Sequence, residues 1–184
     1  MDYCKDCAVG LYNTKHHNLQ GVGNPWNGIC IVVPNVDYGA YKLGDMSFSS
    51  QVDIIKEILS SSTGDLLSNL YIVPLIRCNE TISCALDNIT YNRCIHWFAE
   101  DVRKFQFKDI LLLGTAAKRF LNCNITNYLN SIIISRNNKR YAVNYSPSIL
   151  TIDSDKVDIF KKNLIKWYNS VINEDFSNYE KIIV

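Results

Sequence analysis

Asp109-Ile110-Leu111-Leu112-Leu113-Gly114-Thr115-Ala116-Ala117 is the stretch that decides how this chain folds. The apolar run from Ile110 to Leu113 reads as a strand buried on both faces. Gly114-Thr115 then opens a helix over Ala116 to Leu121. Outward from it the same alternation recurs. Ile29-Cys30-Ile31-Val32-Val33 is a second continuous apolar run, ended by Pro34, and Leu70-Tyr71-Ile72-Val73 is a third, with Pro74 just beyond it. Helical spacing fills the intervals. Val52, Ile55, Ile58 and Leu59 mark a helix from Ser49, broken before Gly64; Leu86, Ile89, Cys94, Trp97, Phe98, Val102 and Phe105 mark another over residues 85–104, in two pieces. Ser131 to Ser135 and Lys139 to Tyr145 read as strands about the turn Arg136-Asn137-Asn138. Lys156 to Val171 is a closing helix with Ile159, Phe160, Leu164 and Trp167 on one face. Strands alternating with helices predict a parallel sheet covered on both faces.

What remains is loop. Residues 19–26 are rich in turn residues. Residues 35–47 leave the carboxyl end of a strand, where ligands bind in open α/β sheets. Tyr145-Ser146-Pro147-Ser148 is a second such loop, and the tail over residues 173–184 carries no clear pattern.

With 184 residues the expectation is one domain, residues 1–184, large enough for a real core. A hydrophobic fraction of 47% and a charged fraction of 20% are those of a soluble globular chain. The net charge of +1 excludes a broad basic field, so any contact with DNA must be local. No apolar run reaches the roughly 18 residues of a membrane span, and the start lacks the charged and apolar regions of a secretory signal. The expected location is cytoplasmic. The wealth of Asn, Ile, Lys and Tyr suits a phage or a low-GC bacterium, with the host cytoplasm as the compartment in the first case.

Seven cysteines, an odd count, argue against a disulfide framework. Four come as two separated pairs: Cys4 with Cys7, and Cys78 with Cys94. Four thiolates are the usual ligand set of an iron–sulfur cluster. The same residues also read as buried small hydrophobes, and a CxxC occurs in zinc and redox sites as well. Cys30, Cys84 and Cys123 are then ordinary buried thiols. His16 and His17 are adjacent and have no metal-ligand spacing, and His96 reads as packing.

Taken in order, these features resemble the iron–sulfur branch of the uracil-DNA glycosylase superfamily, families four and five. The resemblance covers Cys4 to Trp167. It rests on the opening CxxC, the Gly-rich approach Gly21-Val22-Gly23-Asn24-Pro25 to the first strand, the second cysteine pair after the second strand, Leu113-Gly114-Thr115-Ala116-Ala117 as a Leu-Gly-x-x-Ala turn, and Ser146-Pro147-Ser148 in place of a His-Pro-Ser-like loop. It implies a three-layer α/β/α sandwich with a central, mostly parallel four-stranded sheet. It also implies a 4Fe-4S cluster on Cys4, Cys7, Cys78 and Cys94, with zinc as the alternative.

Such enzymes flip a base out of DNA and cleave its glycosidic bond. The resemblance puts a water-orienting carboxylate after the first strand, an Asn at the end of the second and a His in the late loop. Here Pro34, Pro74 and Ser146 stand at those positions, with Asn35 and a stacking Phe48 as remnants of the base pocket. Proline offers no amide, and a serine hydroxyl carries no positive charge. Losing groups worth about 10²–10⁴-fold each should abolish uracil excision. Asp37 is the one candidate to orient a water instead, against its reading as a residue fixing its own loop. The expectation is therefore a DNA- or protein-binding accessory of replication or repair. The alternatives are an active glycosylase of altered substrate using Asp37, and an interaction protein that has left DNA. Candidate DNA contacts are Tyr145, Ser146, Pro147 and Ser148, with Lys118, Arg119, Arg136, Lys139 and Arg140 as phosphate partners.

Overall fold

Seven strands form one mixed sheet in a computed structural model that describes residues 18–60, 66–79, 88–122 and 124–184. The strands are β1 (Val22–Gly23), β2 (Ile29–Val36), β3 (Tyr71–Asn79), β4 (Asp109–Leu113), β5 (Ser131–Ile134), β6 (Arg140–Asn144) and β7 (Glu180–Ile183). Their order across the sheet is β1-β3-β2-β4-β6-β5-β7. The central block β3-β2-β4-β6 is parallel throughout. β1 runs antiparallel to β3, β5 antiparallel to β6, and β7 parallel to β5.

The helices are α1 (Tyr38–Leu43), α2 (Ser50–Leu59), α3 (Leu66–Asn69), α4 (Asn88–Phe105), α5 (Thr115–Phe120) and α6 (Ser154–Ile172). The central strands explain why they sit in two layers. In β2, Ile31 and Val33 join one core while Cys30 and Val32 join the other; in β4, Leu111 and Leu113 oppose Ile110 and Leu112. Successive side chains of a strand point to opposite faces, so an all-apolar strand needs a cover on each. α2 supplies Val52, Ile55 and Leu59 on the first face, with Phe160, Leu164 and Trp167 from α6. α4 supplies Tyr91, Cys94, Phe98 and Val102 on the second, with Ala116 and Ala117 from α5.

The sheet corrects the expected count of four strands. The parallel four are its centre, and it extends past both sides of them. β1 comes from the turn-rich stretch and β7 from the unassigned tail. Neither has a legible pattern: β1 contains Gly23, held at φ +100° with its Cα against β3, where an added Cβ would lie 2.2 Å from the Leu70 carbonyl oxygen. β7 is almost wholly exposed.

The two prolines correct a second expectation, because neither ends its strand. Pro34 lies inside β2 and Pro74 inside β3, where it pairs with Val33. The ladder from β2 to β4 stops at Val32, and the ladder from β3 to β1 stops at Ile72. Each proline thus sits just past the end of a flanking ladder, where a missing N–H is tolerated. The helix read in two pieces is one continuous α4 over Asn88–Phe105. Among the described residues no helix is long and apolar enough to cross a membrane.

One buried ion pair bolts α4 to the sheet. Arg77 of β3 is 1% exposed and Asp101 of α4 is 7% exposed. The guanidinium donates to the Asp101 carboxylate, and also to Gln20 Oε1 at 3.2 Å and to the Trp97 carbonyl at 3.5 Å. Burial pushes the Asp101 carboxyl above its usual value even though Arg77 pulls it down. Removing one partner of such a pair leaves an uncompensated buried charge. Asp101→Ala is therefore expected to lower unfolding free energy by about 3–5 kcal/mol in urea denaturation.

Candidate functional site

The carboxyl ends of β2, β4 and β6 open on a cleft of about 650 Å3. Three segments far apart in the chain form its walls: Pro34, Asn35 and Asp37 continuing into Ser50, Gln51 and Ile54 of α2; Gly114, Thr115 and Lys118; and Tyr145 to Thr151.

Each wall has a local cause. Gly114 adopts φ 53° and ψ −128°, and a Cβ there would stand 2.6 Å from Ser146 Cβ. Only glycine permits that approach without strain. Its N–H donates to the Asn144 carbonyl at 2.8 Å, which locks the turn after β4 to the end of β6. Asn144, fully buried, donates from Nδ2 to the Phe160 carbonyl at 2.9 Å and accepts from the Tyr145 N–H at 2.8 Å. One carboxamide thus aims the late loop and ties it to α6. Ser146 then caps a short 3-10 helix over Pro147–Thr151, with Pro147 at its first position.

Asp37 is the hub of the opposite wall. Oδ1 accepts from Ala40 N–H at 3.1 Å and caps α1. Oδ2 accepts from the hydroxyls of Ser49 at 2.8 Å and Ser50 at 2.9 Å, and from Gln51 N–H at 3.3 Å. Three donors thus converge on Oδ2 and one reaches Oδ1. Burial alone would raise its pKa; the hydrogen bonds from Ala40, Ser49, Ser50 and Gln51 outweigh it and hold the carboxyl below its usual value. A depressed pKa makes a weak base. Asp37 thus caps α1 and ties it to the start of α2.

Of the residues singled out in the sequence, the fold gathers Pro34, Asn35, Asp37, Lys118, Tyr145, Ser146, Pro147 and Ser148 around this cleft. It leaves others outside. Phe48 is 54% exposed and does not line the cleft. Pro74 is in the middle of β3, away from the cleft walls. The Arg119 guanidinium lies 5.0 Å from the centroid of the Tyr91 ring, and Arg119 is not among the cleft residues. Arg136, Lys139 and Arg140 sit where β6 begins, at the opposite end of the sheet. There Arg140 forks onto Asp109 at 2.5 and 2.6 Å and covers the Phe176 ring, while Lys139 Nζ donates to the Phe107 carbonyl at 2.8 Å.

Gln51, Ser50, Thr115 and Thr151 line the cleft without having been read from the sequence. Gln51 also donates from Nε2 to the Asn35 carbonyl at 2.9 Å. The Ser49-Ser50 start of an amphipathic helix, just after a strand's carboxyl end, was the available signal. Among the described residues Lys118 is the one charged cation of the cleft, Asp37 its one carboxylate, and no histidine lines it.

The cysteine pairs divide. Cys4 and Cys7 lie outside the described residues, as do Cys84, Cys123, His16 and His17. Cys78 lies on β3 and Cys94 on α4, which packs on that strand; they are 2% and 4% exposed. Beside Cys94 the Tyr91 hydroxyl is pushed up to about 12, first by burial, with Arg119 pulling it down and Cys94 adding a little. Cys94 belongs to the core between β3 and α4, and Arg119 stacks on the Tyr91 ring of α4. Among the described residues no group of three or more His, Cys, Asp or Glu assembles. Cys30 is fully buried in β2, and burial pushes its thiol well above its usual value, as for an inert packing residue. His96 is exposed on α4.

No family model matches the chain, and no curated protein matches it in sequence.

Two outcomes follow for the cleft walls. Gly114→Ala forces a side chain onto Ser146 at positive φ and should destabilise the fold by about 1–3 kcal/mol in urea. Asp37→Asn should cost about 1–2 kcal/mol at pH 7. A carboxyl whose folded pKa is depressed contributes stability above its unfolded pKa and loses it as pH falls. The gap between wild type and Asp37→Asn should therefore narrow below about pH 4, as read by thermal denaturation across pH.

Proposed function

We propose that this chain is a uracil-DNA-glycosylase-like iron–sulfur protein that binds DNA in its cleft without excising uracil, serving as an accessory of replication or repair. One observation carries the reading. The three segments where the resemblance puts that superfamily's loops, at Pro34 to Asp37, at Gly114-Thr115 and at Tyr145 to Ser148, are remote in the chain and line a single cleft. The central parallel block with helices on both faces supports the same three-layer architecture.

The chemistry supports binding over cleavage. A departing uracil anion needs a cation or strong donor, and an attacking water needs a base. Ser146 is engaged as a cap, Asp37 as a hub, and Pro34 contributes neither. What the cleft offers is one ammonium, several hydroxyls and amide groups, and apolar surface from Ile54, Ile125, Ile149 and Leu150. Those groups suit contact with a phosphate and a neighbouring sugar or base. Cys78 and Cys94, joined by Cys4 and Cys7, would hold a 4Fe-4S cluster. Such a cluster would pin the amino-terminal segment to β3 and α4 and supply folding energy, as structural metal sites do.

The test has two parts. In fluorescence anisotropy with single-stranded and duplex oligonucleotides, binding should weaken as salt rises, and Lys118→Gln should reduce the salt slope by about one unit. Uracil-containing strands should give no abasic product; abasic product from the wild-type protein would move the assignment to an active glycosylase. Absence of salt-dependent binding to any oligonucleotide would move it to an interaction protein. Protein purified without oxygen should be brown with about four irons per chain, and Cys78→Ser or Cys94→Ser should lose that colour. A colourless, zinc-loaded protein would overturn the cluster.

A further inference from the structure

The solvent face of α6 borders two hollows that share Lys166 and Asn178. The larger, about 610 Å3, lies between α6 and the residues leading into β5; the smaller, about 270 Å3, lies toward the end of α6. Neither shares a lining residue with the cleft.

The larger hollow is one-sided in its chemistry. Its polar walls are the ammonium groups of Lys162 and Lys166 and the carboxamides of Asn130, Asn163 and Asn178, and among the described residues no carboxylate lines it. Lys162 and Lys166 are one turn apart on the same helix face, where like charges repel. Among the described residues neither ammonium is in an ion pair. In the smaller hollow the one acid, Asp175, accepts from the Ser177 N–H at 2.9 Å and is engaged in its own turn.

The site is also held in shape. Lys166 Nζ donates to the Asn178 carbonyl at 2.9 Å and stands 4.0 Å from the centroid of the Tyr179 ring. Burial, and then the charge on Lys162, push the Lys166 ammonium below its usual pKa. The opposite face of α6 is anchored in the core by Phe160, Leu164 and Trp167, so the two lysines keep their spacing.

We propose that this hollow binds a terminal phosphate carried on a sugar. A phosphomonoester has about −1.5 to −2 charges at pH 7, which two ammonium groups balance. Its oxygens accept charge-assisted hydrogen bonds from them. Carboxamides both donate and accept, as a sugar's hydroxyls require. The volume also has room for more than a phosphate alone. The inference stands apart from the reading of the cleft.

Isothermal titration of the intact chain tests it, with inorganic phosphate, ribose, ribose 5-phosphate, and a short oligonucleotide with and without a 5′-phosphate as the probes. Ribose 5-phosphate should bind more tightly than inorganic phosphate, and ribose should give no heat. Lys162→Gln, at an exposed position, should weaken ribose 5-phosphate binding by about tenfold or more with the melting temperature unchanged. Tighter binding of the phosphorylated oligonucleotide supports the site with a strand end as its source. Binding of ribose 5-phosphate without that preference supports it with a small sugar phosphate as its source. No saturable binding of any phosphorylated probe, or binding unchanged in both Lys162→Gln and Lys162→Glu, overturns the proposal.

Discussion

The parallel centre of the sheet is apolar on both faces and meets water only at its strand ends, and the rest of the structure follows from that constraint. β2 and β4 commit every side chain from Cys30 to Val33 and from Ile110 to Leu113 to one of two cores. The polar groups a ligand could use are therefore confined to the loops that leave the strands. At the carboxyl ends those loops must also turn at once into helices, because the layers above and below need their cover. Backbone groups at such turns require partners. Asp37, Asn144, Ser146 and the Gly114 N–H supply them. The side chains nearest the cleft are thus largely the ones that build it.

This double duty explains why the site's position was legible in the sequence while its chemistry was less so. Apolar runs followed by turn residues mark strand ends directly, which located Asn35, Asp37, Gly114 and the Tyr145 to Ser148 loop. The hydrogen bonds that commit Asp37 come from Ser49, Ser50 and Gln51, more than ten residues away, and no local pattern announces them. Basic residues were harder still. Lys118 and Arg140 look alike in a sequence, yet one stands at the cleft and the other is clamped to Asp109 at the far end of the sheet. Only the direction of β6 decides which.

The fold itself was read well in the middle and poorly at its margins. Prolines 34 and 74 suggested strand ends because a proline breaks a ladder in general. Here the neighbouring ladder has already ended at Val32 and at Ile72, so the rule has nothing to act on. β1 and β7 escaped because edge strands, contacted on one side, need no regular alternation. The buried Arg77 gave no signal of its own. Its partner Asp101 is 24 residues on, across the interval from strand to helix. A buried guanidinium in that position fixes how α4 lies on β3 more sharply than apolar packing can, since its charge must meet the Asp101 carboxylate.

The three walls of the cleft are drawn from the beginning, middle and end of the described chain, and the strands that bring them together pair in parallel. Such pairings join residues far apart in sequence and form late and slowly. No fragment of the domain and no partly ordered ensemble can present the cleft ahead of the whole. Its availability to any ligand is thereby a gauge of complete folding, and a chain still emerging during synthesis has nothing to offer until β6 and the turn beyond it have closed on Gly114.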